Sequence, residues 1–272
     1  MTKLRILTAL IMAPIAIAAV LLLPTAWATM AAAVVFLVAL WEWLRLSGIH
    51  DTVAQGVLMV VNLALMVALV WASRTDAGFN WVLLQLMVVV GVLWWLLASL
   101  WLKHFSFDNA YAKLLAATLA IVPAWCALAV IHGEQPDGHV WLLAALAIVW
   151  AADTGAYFAG RRLGKRKLAP RISPNKTVEG MVGGIVAGVI VGLAFALFIG
   201  VSPSSLPAVA LASLVAVLFS VVGDLFESLL KRQAGVKDSS HLIPGHGGLL
   251  DRMDGVLAAL PAFALGKEIL GF

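Results

Sequence analysis

Charge is what this sequence has least of. Asp, Glu, Lys and Arg together make up 12% of its 272 residues, about half the share of a soluble domain. Cysteine is nearly absent. Cys126 stands alone inside an apolar run, so no intramolecular disulfide and no Cys-based metal motif can form, and its expected role is that of a small packed hydrophobe. There is no Gly-x4-Gly-Lys-Ser/Thr loop, which excludes a Walker-type nucleotide site. Internal repeats and low-complexity linkers are also missing. What is abundant is hydrophobic surface: 63% of the residues, with a mean hydropathy of +1.03. Lipid is therefore the expected solvent for most of the chain. The net charge of +4 then speaks for membrane orientation and phosphate binding, with no nucleic-acid partner expected.

A membrane-crossing helix needs about 20 mainly apolar residues. Nine stretches qualify as candidates, near 5–23, 26–46, 55–73, 80–102, 113–132, 138–159, 181–200, 206–223 and 254–271. The first begins with Lys3 and Arg5 but is long and lacks a clear small-x-small cleavage site, so it reads as a retained span and not a removed leader. Threading nine spans from a cytoplasmic N-terminus puts all but Arg74 and Lys267 of the 18 basic residues on the cytoplasmic side. The expected fold is thus all-α and polytopic. Its expected division is an N-terminal helical part, 1–135, and a C-terminal part, 136–272, that carries the chemistry on the cytoplasmic face.

Two cytoplasmic loops, about 160–180 and 224–253, hold nearly all the polar groups. In the second, Asp224 and Glu227 are followed by Ser228 and Lys231, a spacing that makes one polar stripe if the eighth helix continues. Asp251 and Asp254 flank Arg252 where the ninth begins. Carboxylates from two helix ends can bracket Mg²⁺, which takes one or two carboxylates, waters and phosphate oxygens; helix capping and surface ion pairs are the plainer alternative. Between them lies Pro244-Gly245-His246-Gly247-Gly248, whose glycines permit close backbone approach to an anion. His246 is a candidate phosphate ligand or proton shuttle. Lys231, Arg232 and Lys237 are candidate phosphate cations or simple membrane anchors.

Ahead of the first loop, Asp153 lies within the sixth span after an apolar run and must pair, bind metal or lose its charge. Ser173, Lys176 and Thr177 precede a new helix and suit phosphate. Among the structural features, Gly183-Gly184, Gly188 and Gly192 suit close helix contact. Trp41, Trp43, Trp81, Trp94, Trp95, Trp101 and Trp141 suit interfacial belts or packing. Glu42 and Asn62 read as interhelical hydrogen-bond partners. A carboxylate–metal–cation set at a membrane surface fits phosphoryl or nucleotidyl transfer between a lipid and a soluble substrate.

The stretch Ser228-x-Leu-Lys-Arg-x4-Lys237-Asp-x-Ser-x2-Ile-Pro-x-His246-Gly-Gly-Leu-x-Asp251-Arg-Met-Asp254 resembles, over all 27 positions, the signature of bacterial-type phosphatidate cytidylyltransferases. Asp153–Tyr157 and Ser173–Gly180 are also similar to that family. The resemblance implies transfer of a cytidylyl group from CTP to phosphatidic acid, giving CDP-diacylglycerol and pyrophosphate in the inner membrane. It implies Mg²⁺ at Asp224, Asp251 and Asp254, and admits a second cation. Asp224, Asp251, Lys237 and His246 would be catalytic. Asp153, Ser173, Lys176, Thr177, Ser228, Lys231, Arg232, Gly247, Gly248 and Arg252 would bind substrate phosphates. The partners would be CTP, phosphatidic acid and membrane lipids, and the small-residue faces allow a homodimer. The motif of CDP-alcohol phosphotransferases is absent. A transporter or channel with a phosphate and metal site is the alternative from another class.

Overall fold

A computed structural model describes residues 2–75, 78–104, 108–245 and 247–272, with side chains at the N-terminus from residue 10 onward. His246 therefore lies outside the described residues. In chain order the elements are α1 (Thr2–Leu22), α2 (Thr25–Leu46), α3 (Thr52–Ala72), β1 (Arg74–Thr75), β2 (Gly78–Phe79), α4 (Val82–Trp101), α5 (Ala110–Gly133), α6 (Gly138–Leu163), β3 (Lys167–Ala169), β4 (Ser173–Thr177), α7 (Val178–Ile199), α8 (Leu206–Gln233) and α9 (Leu250–Leu270). Each expected stretch falls on a helix. Among the described residues, seven helices, α2 to α8, are long and apolar enough to cross a membrane. This is an all-α polytopic membrane protein.

The helix ends follow local chemistry. Asp51 accepts from Ala54 N at 2.7 Å and Asn109 from Ala112 N at 3.0 Å, capping α3 and α5. Thr177 caps α7 by accepting from Gly180 N at 3.1 Å. Such caps satisfy N–H groups that the first helical turn leaves without partners. The helices bordering the polar loops run further than hydropathy alone predicts. The 28 residues of α8 span about 42 Å, and its last turns carry Asp224, Glu227, Ser228 and Lys231 on continuous helix. A second departure is the antiparallel β3–β4 hairpin, with Lys167 opposite Thr177 and Ala169 opposite Ser173. Pro174 and the surrounding charges hide it from a hydrophobic-periodicity reading.

The closest helix packing is made by small residues. Gly180, Gly184, Gly188, Gly192 and Ala196 form one buried row at four-residue spacing on α7. A Cβ on Gly184 would stand 2.8 Å from the Ala152 carbonyl of α6, and one on Gly188 would stand 2.5 Å from a Val217 methyl of α8. The expected glycine faces are therefore used within the chain, against α6 and α8, as van der Waals packing in lipid requires.

An aromatic hub joins the N-terminal helices to α8. Phe226 is fully buried, with ring centroids of Trp43, Trp94, Trp95 and Trp101 at 5.7, 5.8, 6.0 and 5.5 Å. Trp43 Nε1 donates to the Lys113 carbonyl and Trp95 Nε1 to the Leu257 carbonyl, each at 3.1 Å. These tryptophans are packing residues; Trp43 and Trp95 are 1% exposed. Helix α9 packs on α2, α4 and α5 as well as on α6 and α8, so the two expected parts share one core.

Candidate active site

The ends of α6, α8 and α9 that carry polar groups, and the start of α7, come together on one side of the bundle. Two arrangements lie there, a pocket and a clasped loop.

The pocket, about 580 Å³, lies between α6, α7, α8 and the β3–β4 hairpin. That is enough for a small ligand. Asp153, Ser173, Lys176, Thr177 and Asp224 of the expected set all line it, joined by Tyr157, Arg161, Asn175 and Ser220. Its remaining wall is apolar, including Ala152, Ala156, Met181, Val217 and Val221. Asp153 is open to the pocket. The Lys176 ammonium is ion-paired with Asp224, so the hairpin strand β4 is held against α8 by opposite charges. Arg161 Nη1 donates to Tyr157 Oη at 3.0 Å at the rim. Glu179, in the first turn of α7, accepts from the backbone N–H groups of Lys165 and Arg166 at 3.0 and 3.1 Å, which fixes the entry to the hairpin.

The second arrangement is the loop from Ala234 to Leu249. Lys231, expected to meet phosphate, sits instead between two carboxylates of its own chain. It pairs with Glu227 one turn earlier on α8 and with Asp251 Oδ1 at 2.7 Å. Glu227 is 1% exposed, so it is a buried partner and not a solvated one. The second oxygen of Asp251 accepts from Ser239 N at 2.9 Å, Ser239 Oγ at 2.9 Å and Gly248 N at 2.7 Å. Both oxygens of Asp251, an expected metal ligand, are thus engaged in holding the loop.

The adjacent glycines follow from this grip. Gly247 has φ +84° and forms an antiparallel bridge with Ile243, whose N–H donates to its carbonyl at 2.8 Å. A Cβ on Gly247 would lie 2.8 Å from Asp251 Oδ2; on Gly248 it would lie 2.0 Å from Ser239 Oγ and 2.5 Å from Glu42 Oε2. The anions that approach this glycine pair are the protein's own carboxylates. Glu42, on α2, accepts from the backbone of Leu249 and Leu250 and from Ser239 and Ser240. Glu42 is thus the interhelical partner expected from sequence; which residues it meets was not legible, because they are about two hundred positions away.

The other expected residues are distributed around these two arrangements. Arg232 is exposed, its Nε donating to the Ile172 carbonyl at 3.3 Å and linking α8 to the hairpin. Lys237 is exposed on the loop, as is Arg252 on the first turn of α9, while Ser228 is half-buried on α8. Asp254 faces α8 where Gly223 lets the helices touch; a Cβ there would come within 2.3 Å of the Asp254 carbonyl. Electrostatically Asp254 feels Asp224, Glu227 and Asp153, and Asp153 in turn feels Asp224, Lys176 and Arg252.

Among the described residues, no group of three or more His, Cys, Asp or Glu side chains converges into a ready-made metal cage. Mg²⁺ does not require one, since waters and substrate oxygens complete its octahedron. The donor set fits such an ion on charge. Asp153, Asp224, Glu227, Asp251 and Asp254 interact with one another, directly or in sequence, and Lys176, Lys231 and Arg252 answer them. Asp153 and Asp224 line the pocket, and Asp254 interacts electrostatically with both.

The sequence model of the cytidylyltransferase family matches residues 3–270. A phosphatidate cytidylyltransferase of Pseudomonas aeruginosa is 38% identical over 269 residues, covering 97% of this chain and 96% of its own. One of Haemophilus influenzae is 34% identical over 283 residues, covering 97% and 98%. One of Staphylococcus haemolyticus is 35% identical over 262 residues, covering 95% and 96%.

The position of Lys231 yields a prediction. Lys231→Met removes the cation between two buried carboxylates and should cost about 3–5 kcal/mol of stability, read as a lower unfolding midpoint in detergent. Adding Glu227→Gln should recover part of that loss. An unchanged midpoint with a raised KM for either substrate would assign Lys231 to substrate phosphate instead.

Proposed function

Because the chain belongs to the cytidylyltransferase family, we propose that the pocket between α6, α7 and α8 is where its substrates' phosphates meet. The enzyme transfers the cytidylyl group of CTP to phosphatidate, forming CDP-diacylglycerol and releasing pyrophosphate. Nothing in the family or the relatives supports the transporter alternative. The observation that carries the pocket assignment is its composition: Lys176 and Arg161, Asp153 and Asp224, and an apolar wall line one cavity, in a membrane protein that must handle a lipid phosphate and a nucleotide together.

In the transfer, a phosphate oxygen of phosphatidate forms a bond to the α-phosphorus of CTP as the α–β bridging bond breaks. The electron pair leaves with pyrophosphate. The attacking phosphate is already ionised near neutral pH, so positioning and charge neutralisation dominate. Lys176 can exchange Asp224 for an incoming phosphate, since both line the pocket. Arg161 lines the same pocket, Arg252 acts on Asp153 electrostatically, and Ser173 and Asn175 offer side-chain hydrogen-bonding groups from the hairpin. Thr177 serves chiefly as the cap of α7. Asp224 and Asp254, with Asp153 beside them, would hold Mg²⁺, which when bound offsets phosphate charge and polarises the phosphoryl oxygens. Asp251 keeps the loop in place. The two substrates bring further negative charge, which Lys237, Arg232 and a second cation would answer.

The orientation follows the same logic. Nine spans, with the N-terminus and the polar helix ends in the cytoplasm of a bacterial inner membrane, place CTP on the side where it is made. The polar ends of α6, α8 and α9 and the segments that follow α6 and α8 carry 11 of the 18 basic residues, which supports that orientation.

Two measurements test this reading. Purified protein given phosphatidate, Mg²⁺ and α-labelled CTP should move label into lipid and release pyrophosphate. Asp224→Asn should lower kcat about 100-fold or more while the protein stays folded; an active variant would remove Asp224 from the chemistry. A reporter fused after Phe272 should be active outside the cytoplasm, and a cytoplasmic signal would overturn the nine-span arrangement.

A further inference from the structure

Among the described residues, the buried carboxylate of Glu42 has four hydrogen-bond donors and no cation among these partners. Oε1 accepts from Ser240 Oγ at 2.5 Å and Leu249 N at 3.0 Å; Oε2 accepts from Leu250 N at 2.6 Å and Ser239 Oγ at 2.9 Å. The residue is 0% exposed. An ionised carboxylate only accepts hydrogen bonds, and every one of these partners can donate. Two of them, Leu249 and Leu250, stand at the start of α9, where backbone N–H groups lack helical acceptors and the macrodipole favours a negative charge. Leu249 supplies no side-chain cap of its own. Glu42 therefore caps α9 from a different helix.

This cap joins the grip made by Asp251. Ser239 Oγ lies 2.9 Å from both Glu42 Oε2 and Asp251 Oδ2, so its one proton is shared between the two carboxylates. Gly248 passes between them with no room for a Cβ. On one side of the clasp is α2, buried at Phe36, Ala39, Leu40 and Trp43. On the other is the turn of α9 that carries Asp251, Arg252 and Asp254. The turn of α9 that carries Asp254 is thus tied to a residue in the N-terminal part of the chain.

We propose that Glu42 is a positioning residue for cytidylyl transfer, acting through Ser239, Ser240 and the first turn of α9 to place Asp254 against Asp224. The proposal rests on the function given above. Because Glu42 lines no part of the substrate pocket, its loss disturbs the geometry of reaction more than the binding of either substrate.

The test is steady-state kinetics of the full-length enzyme in mixed micelles of detergent and phosphatidate, with CTP and Mg²⁺, and rates expressed per folded molecule. Glu42→Gln keeps the shape but cannot accept at both Leu249 and Leu250. It should lower kcat roughly 10- to 100-fold, with both KM values within about threefold of wild type. Ser240→Ala should lower kcat severalfold, and the double variant should be no slower than Glu42→Gln alone, because one clasp is being opened. A merely structural role would reduce the folded yield and leave kcat per folded molecule within about twofold; that result, or additive effects of the two substitutions, overturns the proposal. Should Glu42→Gln fail to fold, Ser239→Ala and Ser240→Ala decide: severalfold lower kcat supports it, wild-type kcat overturns it. A silent wild-type enzyme would sink the transfer reading and this proposal together, whereas an active wild type with unaffected variants sinks this proposal alone.

Discussion

Carboxylates placed where water is scarce must be answered by donors or cations, and this protein is arranged around that requirement. Glu42 is answered by two backbone N–H groups and two serines, Asp251 by Lys231 and two backbone N–H groups. These bonds fix a loop of glycine, proline and charge that has little hydrophobic surface to hold it. Through the same bonds the start of α9 is set against the end of α8. Asp153 and Asp224 line the pocket, where Lys176 is the cation paired with Asp224, and Asp254 interacts with both carboxylates.

The setting suits a reaction between two phases. The pocket is walled by helices long and apolar enough to cross a membrane, while its polar groups come from α6, α8 and the hairpin between α6 and α7. Rigidity comes from the seam of small residues between α6, α7 and α8, and from the aromatic hub at Phe226. That hub lies next to Glu227 on α8, so the packing that joins the two parts of the chain also steadies the Glu227–Lys231–Asp251 charges.

Much of this was legible in the residues. Long apolar stretches placed the helices, because lipid forces backbone groups to pair within each segment. The spacing of glycines in α7 announced its packing faces. Asp224, Glu227, Ser228 and Lys231 were expected on one stripe, and α8 does continue through them. What could not be read was which polar groups pair. Lys231 and Asp251 carry the residue types of a phosphate and metal site, yet they meet each other. Glu42 resembled an ordinary interhelical partner, since nothing local tells a helix residue that it will cap another helix about two hundred positions on. The hairpin at 167–177 was hidden by proline and charge, and the tryptophans of the hub fitted a membrane-interface pattern equally well.

The central claim is that Glu42 and Asp251 hold the loop and the first turn of α9 as one rigid unit. Amide hydrogen exchange of the wild-type protein in lipid nanodiscs measures this directly. The N–H groups of Gly248, Leu249 and Leu250 should exchange as slowly as those in the core of α9, opening only with larger unfolding. Exchange at the rate of a free loop, with the helices still protected, would contradict the account.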